Sequence, residues 1–482
     1  MPRLLPRLLG PLLWLLLAWF GPAELEPAGR HALGMAAWMV TWWMTEAAPL
    51  AATSLLPIAA FPLLGIAGTR EAAAPYASDL VFLFMGGFFL AAALEHWHVH
   101  TRIAYGMVLR LGLSGRRVVL GVMLATGFIS MWISNTATAA MMYPIAMAIG
   151  AMFGLGEAAD RTRTALMLGV AYAASIGGMA TLIGTPPNLV VAGAIQQHTG
   201  EPVGFGQFML LGLPMVGVLL PACWGILVFV AFRANLRLGP AATEAIRARS
   251  AGLGPLRGGE ARVMAVFVAT AAAWLLRDRK DFGAITLPGL VDVLPGLSDA
   301  SIAVTCAILL FLLPGRTADG QSRPLLAWSE ARQIPWDVLL LFGGGLSLAG
   351  ALEGTGVTEW LGARLAGLGG APTLVIYLGL AVTVLVLSEL ASNLAVAAMT
   401  MPITVSLSQA TGEPAILLML VAGFAASTGF ALPIATPPNA IIFGSGQVSV
   451  RDMARAGTLL DLVSVLTVTA VMLLLGRAVL GV

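Results

Sequence analysis

The sequence predicts an all-α polytopic membrane protein of about eleven transmembrane helices and two re-entrant hairpins, built as an inverted repeat. Three observations predict it: a poverty of charge, uncharged runs too long for single spans, and self-similarity at one fixed offset. Of 482 residues, 26 are Lys or Arg and 24 are Asp or Glu, so 10% are charged, against about 25% in a soluble domain. That leaves too few polar side chains to clothe a water-soluble surface. The hydrophobic fraction is 58% and mean hydropathy +0.89. The 56 Gly and 28 Pro are spread through apolar stretches, which excludes collagen-like and disordered chains. A net charge of +2, with no Lys/Arg block interleaved with aromatics, excludes nucleic acid as a partner. Cys223 and Cys306 sit in apolar runs and read as buried thiols, not as a disulfide framework.

A membrane helix needs about 20 apolar residues. The sequence places spans at 8–22, 32–48, 50–67 and 79–95, followed by a basic stretch to Arg117. Residues 118–152 then form a run of 35 without charge, and Asn135 stands at its midpoint with 17 on each side. Neither side suffices for a comfortable crossing, so a re-entrant hairpin of two half-helices is expected over 118–152. A broken helix follows at 164–197, then a span at 206–232. After the Arg-rich loop 233–262 come spans at 263–277, 299–314 and 337–353, a second hairpin over 372–412 about Ser392 and Asn393, a broken helix at 414–445 and a last span at 456–480. The chain thus divides into an N-terminal membrane helix (1–31), a first repeat (32–232), a cytoplasmic linker (233–262) and a second repeat (263–482).

Orientation follows from the Arg excess of short cytoplasmic loops. With the N-terminus and its Arg3 and Arg7 inside, Arg102, Arg110, Arg116 and Arg117 fall inside after four crossings. The linker, with six Arg against two Glu, falls inside after six, and Arg316, Arg323 and Arg332 after eight. Arg277, Arg279 and Lys280 fall outside, partly offset by Asp278 and Asp281. Eleven crossings put the C-terminus outside. The leading run 8–20 has no small-x-small cleavage site and reads as an uncleaved first span of a cytoplasmic-membrane protein.

The repeat is read directly. Asp79 opens DLVFLFMGGFFLAAALE and Asp337 opens DVLLLFGGGLSLAGALE, an offset of 258 that also relates Ser134-Asn135 to Ser392-Asn393 and Pro144 to Pro402. Thr185-Pro186-Pro187-Asn188 pairs with Thr436-Pro437-Pro438-Asn439 at offset 251. The opening spans of the two copies run in opposite directions, so the topology is inverted, an architecture of secondary transporters. A duplication without functional meaning does not predict that the helix-breaking motifs are what the copies share.

Each copy supplies a Ser-Asn tip and a Thr-Pro-Pro-Asn break. Paired prolines remove backbone donors and push the preceding residue out of helical geometry, freeing carbonyls around Ile183, Gly184 and Ala435. Free carbonyls with the hydroxyl and amide oxygens of Ser130, Ser134, Asn135, Ser388 and Asn393 suit a hard cation such as sodium. Half-helices starting after each motif offer N–H groups and a positive dipole end for an anion, joined by the hydroxyls of Thr136, Thr185 and Thr436. Cations and an anion would share membrane depth without fixed charge. A lone Ser-Asn pair often only bridges helices and a lone Pro pair only kinks one; their joint recurrence is what carries weight. His96, His98 and His100, at i, i+2 spacing beside Arg102, read as interfacial, as do Asp79, Asp337, Glu95 and Glu353. Glu46 and Glu389 sit deeper and are candidates for function.

With WWMTEAAPLAATSLLPIAAFPLLGI (42–66), ISNTATAAMMYPI, LFGGGLSLAGALEGTGVTEWLG (341–362), SELASNLAVAAM and the TPPN pair, nearly the whole chain resembles the divalent anion/sodium symporters, carriers of dicarboxylates, citrate or sulfate. The resemblance implies a homodimer whose scaffold holds a mobile transport domain moving like an elevator. It implies one sodium site at Ser130, Ser134, Asn135 and Gly184, and a second at Ser388, Ala391, Asn393 and Ala435. Substrate binding would involve Ser134, Asn135, Thr136, Thr185, Ser392, Asn393, Leu394, Thr436 and Pro437. The chain departs from the family's second Ser-Asn-Thr, which here reads Ser392-Asn393-Leu394. If Leu394 faces the site, one carboxylate loses a donor; if it points into the hairpin core, it is packing.

The expected function is sodium-coupled symport of a divalent anion such as succinate, malate or fumarate, with sodium as co-transported ion and no organic cofactor. A sodium-independent exchanger, or a citrate or sulfate carrier, is the alternative. A membrane enzyme is disfavoured because no zinc motif and no paired mid-span acids occur. A channel is disfavoured by the paired broken helices.

Overall fold

The computed structural model describes residues 4–236, 238–256, 258–281, 286–317 and 320–482. Arg3 and the side chains of Lys280 and Asp281 lie outside the described residues. Regular structure here is helical apart from two small antiparallel pairs, Lys280–Asp281 with Thr286–Leu287 and Pro314–Arg316 with Ser322–Pro324.

Helices Leu4–Phe20 and Pro27–Thr45 pack on each other. The expected span 50–67 is instead two short helices, Leu50–Thr53 and Leu56–Ala60, followed by turns. The reason is local: Pro57 lacks an N–H at the second helix's start, and Gly65 adopts φ 66°. From there the two halves run through the same element order. The first has Asp79–His96, the amphipathic Val99–Leu111, the arms Gly115–Ser130 and Asn135–Gly150, the pieces Glu157–Gly178 and Pro186–Thr199, and Phe205–Gly225. The second has Trp336–Gly354, Val357–Leu365, the arms Thr373–Leu390 and Asn393–Thr411, the pieces Ala415–Ala426 and Pro437–Gly444, and Val450–Val471.

Between the halves the linker is not all loop, since Pro240–Gly252 is helical and docks on Val99–Leu111. The span expected at 263–277 begins earlier, as Gly258–Leu276, while Asp299–Leu312 has 14 residues, about 21 Å at 1.5 Å per residue.

Each expected hairpin has two arms and a sharp tip, but the arms exceed half-helices. They have 16, 16, 18 and 19 residues, about 24 to 29 Å against a hydrocarbon core of about 30 Å. Among the described residues eight helices are long and apolar enough to cross a membrane, and three of those eight are or contain hairpin arms. Four shorter apolar helices, at Leu5–Phe20, Leu50–Ala60, Asp299–Leu312 and Ala415–Ala426, accompany them. Eleven crossings therefore do not correspond to eleven long helices, because proline breaks divide several candidates.

The broken helices occupy the centre. Every residue from Ala165 to Gly178 and from Leu417 to Ala426 is buried. Irregular backbone at membrane depth is tolerable only where protein covers it, and here the helices on either side of each break do so. By contrast, Phe205–Gly225 turns Leu210, Leu213 and Val218 outward.

Candidate cation and anion site

The first hairpin turns at 131–134 because Ser134 leaves helical geometry and its hydroxyl accepts from the Ala137 N–H at 3.4 Å, capping the second arm. Asn135, the first residue of that arm, is therefore held at the tip, facing the break at 179–185. One end of its amide lies 2.8 Å from Ser130 Oγ, 3.0 Å from the Ala174 carbonyl and 3.3 Å from the Gly184 carbonyl; the other lies 3.2 Å from Thr185 Oγ1. With the nitrogen inward, the amide donates to these oxygens. With Oδ1 inward, four oxygens converge with only the Ser130 hydroxyl proton among them, which donates to Asn135 Oδ1 or to Ala174 O, an oxygen-rich arrangement that suits a small cation. Ser130 Oγ itself lies 2.7 Å from the Ala174 carbonyl.

The approach depends on a missing side chain. A Cβ on Gly178 would lie 2.1 Å from Asn135 Oδ1, and one on Gly184 would lie 2.5 Å from the Gly178 carbonyl. The break is pinned by Asn188, whose Nδ2 donates to Gly178 O at 2.9 Å and to Thr181 O at 2.8 Å.

The second half repeats this construction. Ser388 Oγ is 2.6 Å from both Asn393 Oδ1 and the Ala426 carbonyl. Ala391 is extended at φ −144° and ψ 173°, which ends the first arm. Asn439 Nδ2 donates to Gly429 O and Leu432 O at 3.4 and 3.0 Å. A Cβ on Gly429 would meet Ala435 Cβ at 3.0 Å and Ser388 O at 3.5 Å, so Ala435 and Ser388 flank one small space.

The two copies differ in charge. Glu389 accepts from the N–H groups of Ala431 and Leu432, both at 2.8 Å, and Asp461 accepts from Phe430 at 3.0 Å. Their carboxyl groups are within hydrogen-bond reach of each other. The residue 258 positions before Glu389 is Met131. A site without fixed charge, as expected from the sequence, is thus found at the first break only.

At the first break two helix N-termini meet, with the Asn135 amide 3.2 Å from Thr185 Oγ1. Asn135–Gly150 packs against Pro437–Gly444, and Pro186–Thr199 packs against Asn393–Thr411. Thr436 accepts from the Asn439 N–H at 3.3 Å, and Pro437 opens its helix without an unpaired donor. A cavity of about 410 Å³ is lined by Ser134 and Ala137 of the first tip with Glu95, His96, Glu330 and Gln333. Thr136 is exposed, whereas Leu394 is only 9% exposed and packs in the hydrophobic core. Of the two alternatives for Leu394, packing is what the structure contains. Ser392 and Asn393 are half-buried and line neither the 410 Å³ cavity nor the second one, of about 340 Å³, between Gln196, Gln197 and Ser347.

Sequence reasoning brought together Ser130, Asn135 and Gly184, and Ser388, Asn393 and Ala435. It also placed Ser134 in the first set, where the structure shows the hydroxyl capping the second arm. It missed Ala174 and Ala426, whose carbonyls carry no sequence signal, and Asp461, whose isolation in an apolar segment was a signal. Glu46 is exposed, in a left-handed conformation (φ 48°) at the end of Pro27–Thr45, away from both breaks.

Fold and site together define a multi-pass membrane transporter. The profile of the sodium:sulfate symporter transmembrane region matches residues 4–482, and the chain belongs to that family. It is 39% identical over 488 residues to the sodium-dependent dicarboxylate transporter SdcS of Staphylococcus aureus, in strains MRSA252 and NCTC 8325 alike, covering all of this chain and 92% of the relative. Among solved structures it is similar to the Neisseria gonorrhoeae MtrF efflux pump (TM-score 0.54, 13% identity, 94% of this chain and 96% of that one). The Alcanivorax borkumensis YdaH transporter is comparable (TM-score 0.53, 14% identity, 86% and 87%). At such identities these two support the fold alone.

Proposed function

We propose that the chain is a sodium-coupled symporter of a divalent anion, a C4-dicarboxylate such as succinate, malate or fumarate, in the cytoplasmic membrane. The observation that carries the reading is the Asn135 amide with three oxygens about one end and helix N-termini beside it. The relative's sodium-dependent dicarboxylate transport supports it. Sodium binds among Ser130, Asn135, Ala174 and Gly184 and, in the second half, among Ser388, Ala391, Asn393, Ala426 and Ala435. A dianion entering an apolar interior without counter-charge is strongly disfavoured. Sodium arrives first and supplies that charge, and the N–H groups at Asn135, Thr136, Thr185 and Thr436, beside Pro437, then orient the carboxylates. Thr136 offers a hydroxyl on one side, whereas Leu394, packed in the core, offers none on the other, which leaves the two carboxylate positions unequal. The inverted repeat, N-terminus inside and C-terminus outside, the homodimer and the elevator movement belong to the same reading.

In proteoliposomes, uptake of labelled succinate is expected to require an inward sodium gradient. Asn135→Ala and Asn393→Ala are each expected to reduce it at least about a hundredfold, the loss of roughly 2.8 kcal/mol of binding, with folding intact by thermal unfolding. Unchanged uptake in either variant would remove that residue from the site. Exchange without sodium would replace symport by antiport.

A further inference from the structure

Away from the breaks, where the linker leaves the span Phe205–Ala231, a cavity of about 300 Å³ is lined by Arg116, Arg117, Trp224, Phe229 and Asn235. Its position is that of a membrane boundary. Phe229 and Val230 are 47% and 53% exposed at the end of an apolar helix, and aromatic and arginine side chains collect at such boundaries.

The arginine is fixed in place. Arg116 Nε donates to Ala234 O at 3.1 Å, its guanidinium carbon lies 4.7 Å over the Phe229 ring, and its carbonyl accepts from Trp224 Nε1 at 2.9 Å. Arg117 lies beside it, over Gly112. Among the described residues no carboxylate lies within 4 Å of Arg116 or Arg117, nor of Arg110 or Arg233 nearby in the chain. Arg102, on the preceding helix, shows the contrast: Glu260 at 2.6 Å and the carbonyls of Leu253 and Gly254 surround it. A half-buried, immobilised cation beside lipid-facing apolar side chains lacks an anion that the chain does not supply, and the ligand that offers both a phosphate and acyl chains at that depth is a lipid.

We propose that Arg116 and Arg117, over Trp224 and Phe229, form a headgroup site for an anionic phospholipid. The phosphate sits between the guanidiniums, and the acyl chains run along Phe229 and Val230. The bound lipid fastens the linker to the first hairpin, where Gly115 N already donates to Leu236 O and Leu238 N to Leu113 O.

The inference requires membrane insertion but not sodium coupling, so it stands or falls separately from the transport reading. The test is native mass spectrometry and thermal unfolding of the purified full chain. The additions are phosphatidylglycerol, phosphatidylcholine of the same acyl chains, or inorganic phosphate alone. One phosphatidylglycerol per chain is expected to bind roughly thirtyfold more tightly than phosphatidylcholine, the preference two interfacial arginines give. Inorganic phosphate should not raise the unfolding temperature. Arg116→Gln/Arg117→Gln should erase the preference, and the exposed Arg117→Gln alone should reduce it if the double variant does not fold. Equal binding of both lipids, an unchanged preference in the variants, or stabilisation by inorganic phosphate equal to that by phosphatidylglycerol would overturn the lipid site.

Discussion

Gly178→Ala is expected to abolish sodium-driven uptake while the protein still inserts and folds. The new Cβ would lie 2.1 Å from Asn135 Oδ1 and 2.9 Å from its Cγ, well inside van der Waals contact. Asn135 would have to leave the three oxygens it now faces, because Gly178 itself cannot retreat: its carbonyl is held by Asn188 at 2.9 Å and is packed against Gly184. Losing one amide ligand and disordering the others lowers sodium affinity at least about a hundredfold. Gly429→Ala is the control, since its Cβ would meet Ala435 at 3.0 Å and Glu389 only at 3.5 Å. Its loss is expected to stay below about tenfold. A sodium titration of uptake in both variants checks the pair. Wild-type sodium dependence in Gly178→Ala would mean that Asn135 is not a ligand.

Glu389→Ala is expected to cost the fold as well as the transport. The carboxylate accepts two consecutive backbone N–H groups, from Ala431 and Leu432, in a half-buried break where no helix serves them. A fully buried unpaired donor costs about 1–3 kcal/mol, and two half-buried ones stay below roughly 6 kcal/mol in total. Asp461, which holds Phe430, would lose the neighbour that now shares its pocket. Glu389→Gln keeps one acceptor oxygen but turns an NH2 toward the second N–H, and is expected to fall between. Thermal unfolding together with the cooperativity of sodium activation measures both effects. Full stability and uptake in Glu389→Ala would show that the second break needs no carboxylate clamp.

The breaks and tips were legible because proline and Ser-Asn chemistry is local: Pro186, Pro187, Pro437 and Pro438 interrupt a helix whatever surrounds it. The ligand oxygens of Ala174 and Ala426 were not legible, since every residue has a carbonyl and only the docking of a hairpin tip selects these two. The 50–67 segment was misread because apolar composition reports affinity for the membrane, while Pro57 and Gly65 decide whether the chain stays helical through it. The hairpin arms were read as half-helices because charge spacing marks a midpoint but not how far each arm extends.

By itself the sequence determined that this chain lives in a membrane, that it carries the same broken elements twice, and which polar residues stand at the breaks. Those properties follow from charge count and backbone chemistry, which neighbours do not alter. Only the tertiary structure decided which oxygens meet, that Leu394 packs while Thr136 is open, that the acidic pair Glu389 and Asp461 stands beside one break and not the other, and that Arg116 and Arg117 stand at the linker with no carboxylate near them among the described residues. Those are matters of distance between segments far apart in the chain, and distance is set by packing.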